Sequence, residues 1–575
     1  YIEEHFARIR TAMTRGKPKV RIGVIHPIES YWLAFGPARQ TAEFRQQLDE
    51  NFQNLTNWLT LGGIDFDFIC ESLLPGQCKQ GTFPFKVGEM KYEAVLIPGC
   101  TTLRKTTIER LENFLEKGGK VFFIGDKPIW MDGCLSDRPK KLYEKASSLP
   151  FEKNKILQEL NAYRDVKIFD ERGYRPEHFL YQLREEKDRK WLFLARGERP
   201  YHKDICSLEK IQIGICGIGY VVLWDTLTGK KIHVNSRIEK GWTWFFLDFY
   251  DYYSALLSLE KEKMEDCETP SDNFKDKTEI KIPEMVMIQR EEPNVLLLDK
   301  AEYALDEEEY HEKMEILRAD NSCRERLGWL WRGMAIPQPW TLEKEVYCHK
   351  IRLRFHVESD VEEETVFLGL ERAAEKQIFW NGEEVIPKII GWYTDKAIQT
   401  VSLTGLRKGH NCLEVIQPFG RDTNTEWMYL LGEFNVVLKG ENSLLTQWDP
   451  KVGFDTLTIQ GLPFYGGAVV YEIPFETTKE NISIRIPHYR AGLLRVWVDE
   501  DASVPVVLPP YERSFEKIRP GKHILKVKAY ISRNNSFGPV HLADEKDEWF
   551  GPSAWRTQGD RWTESYRLKI GRAHV

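Results

Sequence analysis

Long apolar runs are missing from this chain. Nowhere do about 18 apolar residues follow one another, the length a membrane-crossing helix needs, and the first residues lack the charged-then-apolar order of a secretory signal. Neither a membrane span nor an export signal is therefore expected, which points to the cytoplasm. Cysteine is scarce as well: ten in 575 residues are too few for a disulfide scaffold, and none stands in a CxxC pair or a Cys/His cluster with zinc spacing. Basic blocks are also absent. With 81 Lys and Arg against 88 Asp and Glu the net charge is -7, so nothing in the chain suits the neutralisation of phosphates, and nucleic acid is not an expected partner. No GxGxxG or GxxxxGK(S/T) follows any strand-like run, which removes the backbone cradle of a nucleotide phosphate and disfavours flavin or nicotinamide. A calcium ion in a β-sandwich has no ligand run of EF-hand type behind it. No metal or other cofactor is expected.

What is present is a change of texture along the chain, whose length predicts roughly three to five domains. Val20 to Ile25, Phe66 to Ile69, Ala94 to Ile97, Lys120 to Ile124 and Val166 to Phe169 are short apolar runs separated by helical patterns. That alternation predicts a flavodoxin-like, doubly wound α/β domain of five parallel strands over residues 17–170. One connecting helix carries Phe44, Leu48, Phe52, Leu55 and Leu59 on a stripe that stops at Gly62-Gly63, and the next has capping-box spacing at Thr106 and Glu109. Ligands of such sheets meet the C-terminal ends of strands. The first strand ends in His26-Pro27-Ile28-Glu29-Ser30-Tyr31-Trp32, and Glu29, Tyr31 and Trp32 are candidates for binding a sugar's hydroxyls and apolar face. The same loop would equally serve as an aromatic plug against a neighbouring domain. Pro98-Gly99-Cys100 closes another strand and invites an amidotransferase reading, although no His-x-Glu pair follows at a plausible distance.

Aromatic-rich strands then predict a small antiparallel β-sandwich over 171–259, with Asp225 to Gly229 as a turn. Residues 260–277, charged and interrupted by Pro270, predict a linker. Two larger sandwiches are expected, over 278–440 with a helical insert from Glu302 to Leu327, and over 441–569. They look duplicated: Leu406 to Val415 recurs as Ile518 to Val527, each copy a turn glycine followed by alternating apolar and polar residues. Each is preceded by a matching strand, at Ile378 to Val385, where Asn381-Gly382 reads as a hairpin turn, and at Leu494 to Glu500. Loops in the first copy join rings to hydrogen-bonding groups, making Trp392, Asp395, Asn424, Glu426 and Trp427 further substrate-binding candidates. Trp549-Phe550-Gly551-Pro552 and Trp555-Arg556-Thr557 repeat that mixture near the end. Any of these rings would alternatively be a core plug.

Gly16-Lys17-Pro18 leading into Ile25 to Trp32, the Leu96 to Gly99 strand, Trp380-Asn381-Gly382 and Trp549 to Pro552 together resemble large bacterial glycoside hydrolases. The layout is similar to family 106 α-L-rhamnosidases and to related proteins with a family 2 type sugar-binding domain, from about Tyr1 to Lys569. The resemblance implies galactose-binding-like jelly rolls for the two large sandwiches, oligosaccharide as the substrate, and homo-oligomeric assembly through the α/β domain. It also implies a catalytic (β/α)8 barrel upstream, with residues 1–16 as its last helix and the acid and base carboxylates outside this chain. Residues 570–575 resemble a translated sequencing adapter, and the true N-terminus is expected to be missing. The expected function is the accessory portion of a glycosidase that binds carbohydrate and supports the barrel, the alternative being a non-catalytic carbohydrate-binding protein.

Overall fold

A computed structural model describes residues 2–198, 207–268, 279–331, 346–543 and 559–569. The chain divides into two compact units, Tyr1–Lys277 and Thr278–Val575, and it is rich in β-structure. The first unit opens with α1 (Ile2–Met13). Its buried side is centred on Ala12, which packs with Trp191 and Leu256, and Arg8, one turn earlier, donates to the carbonyls of Thr226 and Leu227 at 2.8 and 2.7 Å. Ile2 and Phe6, on the same helix, are exposed.

A parallel sheet follows, made of β1 (Ile22–Ile25), β2 (Asp67–Ile69), β3 (Ala94–Pro98), β4 (Lys120–Ile124) and β5 (Ser147–Leu149). Its order is β2-β1-β3-β4-β5 with every pair parallel, so the connectivity reverses between β1 and β3. The short helix α2 (Ile28–Leu33) leaves the end of β1, and α3 (Ala38–Leu61) buries Leu48, Leu55 and Leu59 beside the sheet. The last carbonyls after α3 are satisfied by a side chain, since Arg164 Nη1 reaches both the Gly62 and Gly63 oxygens. In α4 (Lys105–Glu116) Thr106 is not the cap, because the helix already starts at Lys105 after an extended Arg104. The cap comes from elsewhere: Glu71 Oε2 accepts the Arg104 amide at 2.8 Å, and Glu109 lies against Arg138 instead.

The expected fifth strand is the main departure. β6 (Val166–Phe169) pairs antiparallel with β7 (Leu208–Cys216), and the fifth parallel position belongs to the polar segment Ser147–Leu149. Burial along β6 alternates, with Val166 and Ile168 inside and Lys167 and Phe169 outside. That is the period of a sheet covered on one face, not the continuous apolar run of a strand covered on both. With β8 (Ser236–Glu239) and β9 (Trp242–Tyr250) these strands form a four-stranded antiparallel sheet in the order β6-β7-β9-β8. A six-stranded sheet that includes Lys17–Pro18, Phe179–Glu185 and Arg189–Arg196 faces it across a core of Val166, Ile168, Leu192, Leu194, Ile213 and Phe245. Of the expected linker, Glu268 pairs with Lys231, its amide 2.8 Å from that carbonyl; Pro270 lies outside the described residues.

The second unit opens with β10 (Met285–Arg290). The strands β11 (Glu363–Glu371), β12 (Gln377–Trp380), β13 (Ile389–Tyr393), β14 (Asp395–Leu406), β15 (Gly409–Phe419) and β16 (Met428–Gly432) then build a sandwich. In one sheet β16-β11-β14-β13 lie side by side, and in the other β15 lies beside β12. A second sandwich uses β17 (Ala468–Thr477), β18 (Leu493–Val498) and β19 (Gly521–Tyr530) in the order β10-β17-β19-β18. So β10 belongs to the second sandwich although it precedes the first. Conversely, Asn442–Gln447 pairs within the first, and Val540, Tyr566 and Leu568 pack on the first core. Of the expected helical insert only α5 (Ile316–Arg326) is helical; Lys300–Leu305 and His311–Glu315 are strands.

The two copies share one corner. Ile378 faces Val415 and Trp380 faces Leu413, as Val496 faces Val527 and Val498 faces Leu525. Asn381 at φ 52° exchanges bonds with Cys412, its side chain accepting that amide at 3.0 Å; Asp499 at φ 49° does the same with Ile524 at 2.9 Å. Asn and Asp tolerate the left-handed conformation and bond locally, which is why they occupy this turn.

Candidate functional site

At the C-terminal edge of the parallel sheet, the reversal between β1 and β3 is where open α/β sheets bind ligands. Here it is closed by a hydroxyl. Ser30 Oγ, on α2, accepts the backbone amides of Thr101 at 3.0 Å and Thr102 at 3.2 Å, using up donors that an anion would need. Glu29 is engaged too, its Oε1 lying 2.5 Å from Arg104 Nε. Beneath it, burial pushes the Glu71 carboxyl up to about 7, opposed by its hydrogen bonds, including the one from the Arg104 amide. Tyr31 is half-buried, whereas Trp32 is 60% exposed and Phe35 75% exposed. Of the three candidates in this loop only Trp32 presents a free face. Glu71 escaped sequence reading because nothing marks a lone carboxylate two residues past a strand.

Cys100 is buried in the same place. Its thiol is 3.8 Å from the Pro98 carbonyl, and burial, with the Glu71 charge adding, pushes it well above its usual value. The groups acting on it are Glu71, Ser30 and Glu29, with no imidazole among them. A thiolate is disfavoured there and has no base, which removes the amidotransferase reading.

In the first sandwich of the second unit, the loop joining β15 to β16 carries Asn424, Glu426 and Trp427. Trp427 is a core residue, 7% exposed, with Nε1 donating to Glu315 Oε1 at 2.7 Å; it is corrected from a sugar platform to a plug. Asn424 and Glu426 are half-buried and meet a group the sequence did not reveal. Asn424 Nδ2 lies 3.5 Å from Glu371 Oε2 at the end of β11. Burial raises the Glu371 carboxyl, the charge of Glu426 raises it further, and the Asn424 bond lowers it. Lys376 sits under them. Burial lowers its ammonium to about 8, and it donates to Gln417 Oε1 at 2.5 Å, whose amide in turn donates to Thr425.

Trp392 lies on the same sheet as Glu371, two strands away. On the edge strand β13 it faces Gln399 of β14, which faces Leu370, the residue before Glu371. It is 56% exposed. Asp395 is exposed at the turn into β14, where its side chain accepts the Ala397 amide at 2.8 Å. The structure thus gathers two carboxylates, an amide and a buried amine, with the exposed indole outside that group. Glu371 and Lys376 were missed because they lie far in sequence from the aromatic loops. Trp549, Phe550, Trp555 and their neighbours lie outside the described residues. Among the described residues, no group of three or more His, Cys, Asp and Glu is placed to hold a metal ion, and no helix is long and apolar enough to cross a membrane.

No model of a known protein family matches the chain, and no curated protein matches it. Among solved structures it is similar to the rhamnosidase from Novosphingobium sp. PP1Y, at 12% identity over 74% of this chain and 40% of that one, with a TM-score of 0.33. It is also similar to a GH42 exo-carrageenase from Bacteroides ovatus, at 12% identity over 44% of this chain and 31% of that one, TM-score 0.29. A third is α-L-fucosidase isoenzyme 2 from Paenibacillus thiaminolyticus, at 10% identity over 45% and 51%, TM-score 0.28. The chain spans 40% of the length of that rhamnosidase. Scores this low carry no functional weight, which rests on the side chains.

Proposed function

We propose that this chain is the carbohydrate-binding accessory portion of a glycoside hydrolase, α-L-rhamnosidase-like in layout, with galactose-binding-like sandwiches that hold sugar beside a catalytic barrel. The observation that carries this reading is the cluster of Glu371, Asn424 and Glu426, with the exposed Trp392 as a separate aromatic face on the same sheet. A pyranose offers an apolar C–H face to an indole and hydroxyls to carboxylates and amides. Hydrolysis requires two carboxyl groups flanking one glycosidic bond, and these are assigned to the barrel. The α/β domain braces that barrel.

A panel of neutral and acidic oligosaccharides titrated against the chain tests the binding, and the same panel incubated with the longer polypeptide tests hydrolysis. Binding by the chain that weakens about five- to tenfold in Trp392→Ala is expected, since one aromatic platform contributes on the order of 1 kcal/mol. Hydrolysis is expected only with the longer polypeptide. Cleavage by this chain alone would place the chemistry within it, and binding with no barrel upstream would make the protein a non-catalytic binder.

A further inference from the structure

Alternation along β9 sorts its rings. Thr243, Phe245 and Phe249 point into the core, while Trp242, Trp244 and Phe246 face outward from the four-stranded sheet. The register then fixes what surrounds them. Gly214 and Arg237 flank Trp244, Lys167 lies beyond Gly214, Glu239 is opposite Trp242, and Gln212 separates Phe246 from Phe169. Gly214 is the enabling residue: a β-carbon there would lie 2.6 Å from the Trp244 ring, so only its absence lets the indole lie across the neighbouring strand. Trp244 accordingly stacks beside Phe169, centroids 6.1 Å apart at 25°, and beside Trp242 at 6.0 Å and 30°. Trp242 and Trp244 line a recess of about 220 Å³, with Phe169 beside Trp244.

Cations surround these rings. The Lys167 ammonium sits 4.3 Å from the Trp242 centroid, Arg237 and Lys240 line the same recess, and Lys210 lies over Phe246 at 5.6 Å. Against these four stand Glu239 in the recess and Asp248 opposite Lys210, so the face is locally positive on a chain of net charge -7. Neighbouring indoles select flat apolar faces, and surplus cations select carboxylates.

We infer that this face binds an acidic oligosaccharide, a uronate-bearing glycan whose pyranose faces lie on Trp244 and Trp242 and whose carboxylates meet Lys167, Arg237 and Lys240. The inference shares with the function proposed above the premise of a glycan ligand but uses a different domain, so each can fail alone. A single-stranded nucleic acid would also find rings and cations here, and the oligothymidylate arm of the test separates it from the acidic glycan.

Affinity electrophoresis of the whole chain through polygalacturonate, neutral galactan and oligothymidylate tests it. Retardation by polygalacturonate alone is expected, weakened about tenfold in Trp244→Ala, as loss of an aromatic platform predicts. The double variant Arg237→Gln, Lys240→Gln changes only exposed side chains and is expected to lose the preference for the acidic over the neutral polymer. Circular dichroism confirms that each variant is folded. The inference falls if polygalacturonate gives no retardation, if Trp244→Ala or the double variant binds like the parent, or if oligothymidylate binds more tightly. It also falls if Trp244→Ala changes the sedimentation coefficient of the chain, which would make this face an interface between copies. Should polygalacturonate binding be lost in Trp392→Ala and kept in Trp244→Ala, the acidic glycan sits in the second unit, and this inference falls while the earlier reading stands.

Discussion

Glu71→Gln gives the sharpest test of the electrostatics at the edge of the parallel sheet. Glu71 is 2% exposed, accepts the Arg104 amide at the start of α4, and has its carboxyl pushed by burial from 4.5 to about 7. Glu29 adds to the rise, while the Thr107 and Arg104 side chains lower it. The folded state therefore holds this proton more tightly than the unfolded chain. Stability is full below the unfolded value near 4.5 and is lost as pH rises through about 7. At about 1.4 kcal/mol per pKa unit the loss is on the order of 3 kcal/mol. Glutamine keeps an oxygen for the Arg104 amide and cannot ionise. The variant is thus expected to match the parent near pH 4.5 and to exceed it by up to about 3 kcal/mol at pH 8. Asp65, also raised to about 7 by burial, slopes both proteins equally and cancels in the difference. Urea titrations at pH 5, 6.5 and 8, read by pulsed hydrogen exchange in peptides from α4 and β4, measure it. Parallel slopes for parent and variant, or a variant weakest at pH 8, would refute the reasoning.

Gly214→Ala drives a methyl into the Trp244 ring and is expected to cost about 1–3 kcal/mol, with a change in tryptophan fluorescence; an unchanged thermal midpoint would sink it. Trp427→Phe removes the donor to Glu315, a carboxyl raised by burial to about 8, and is expected to cost about 1–3 kcal/mol. Trp392→Ala, on the surface, stays within about 0.5 kcal/mol; urea titration of both checks the ranking, and the reverse order would overturn the assignment of plug and platform. Iodoacetamide applied to the folded protein is expected to label the exposed Cys134 and Cys348 and to spare the buried Cys100, as peptide mass spectrometry will show. Early modification of Cys100 would revive it as a nucleophile.

Strands with a strong local pattern were legible. Ala94–Pro98 and Lys120–Ile124 are almost wholly apolar, as strands covered on both faces must be, and Asn381-Gly382 supplies the two positive φ angles its hairpin needs. Ser147–Leu149 was not legible, since a polar strand at a sheet edge has no apolar run to announce it. Val166–Phe169 is legible as a strand, but its position after four parallel runs points to the parallel sheet while its alternation points to the antiparallel one it joins. Thr106 had the right spacing for a cap and lost the role to a carboxylate 35 residues earlier, a partner only the fold supplies. The site followed the same division. Trp392 and Asn424 stood out as loop residues of the right chemistry, whereas Trp427 was indistinguishable from them until its burial was known. Glu371 and Lys376 join the cluster only through strand pairing.

Strand β10 imposes an order on biosynthesis. Met287 pairs with Glu472, roughly 185 residues further along, and at about 5–20 residues per second a ribosome needs on the order of 10–40 s to deliver that partner. Throughout the wait, the alternating Val286 and Ile288 have no sheet to enter, while the intervening sandwich can close without them. The second sandwich can therefore mature only after the whole of its neighbour has been synthesised between its first strand and its second.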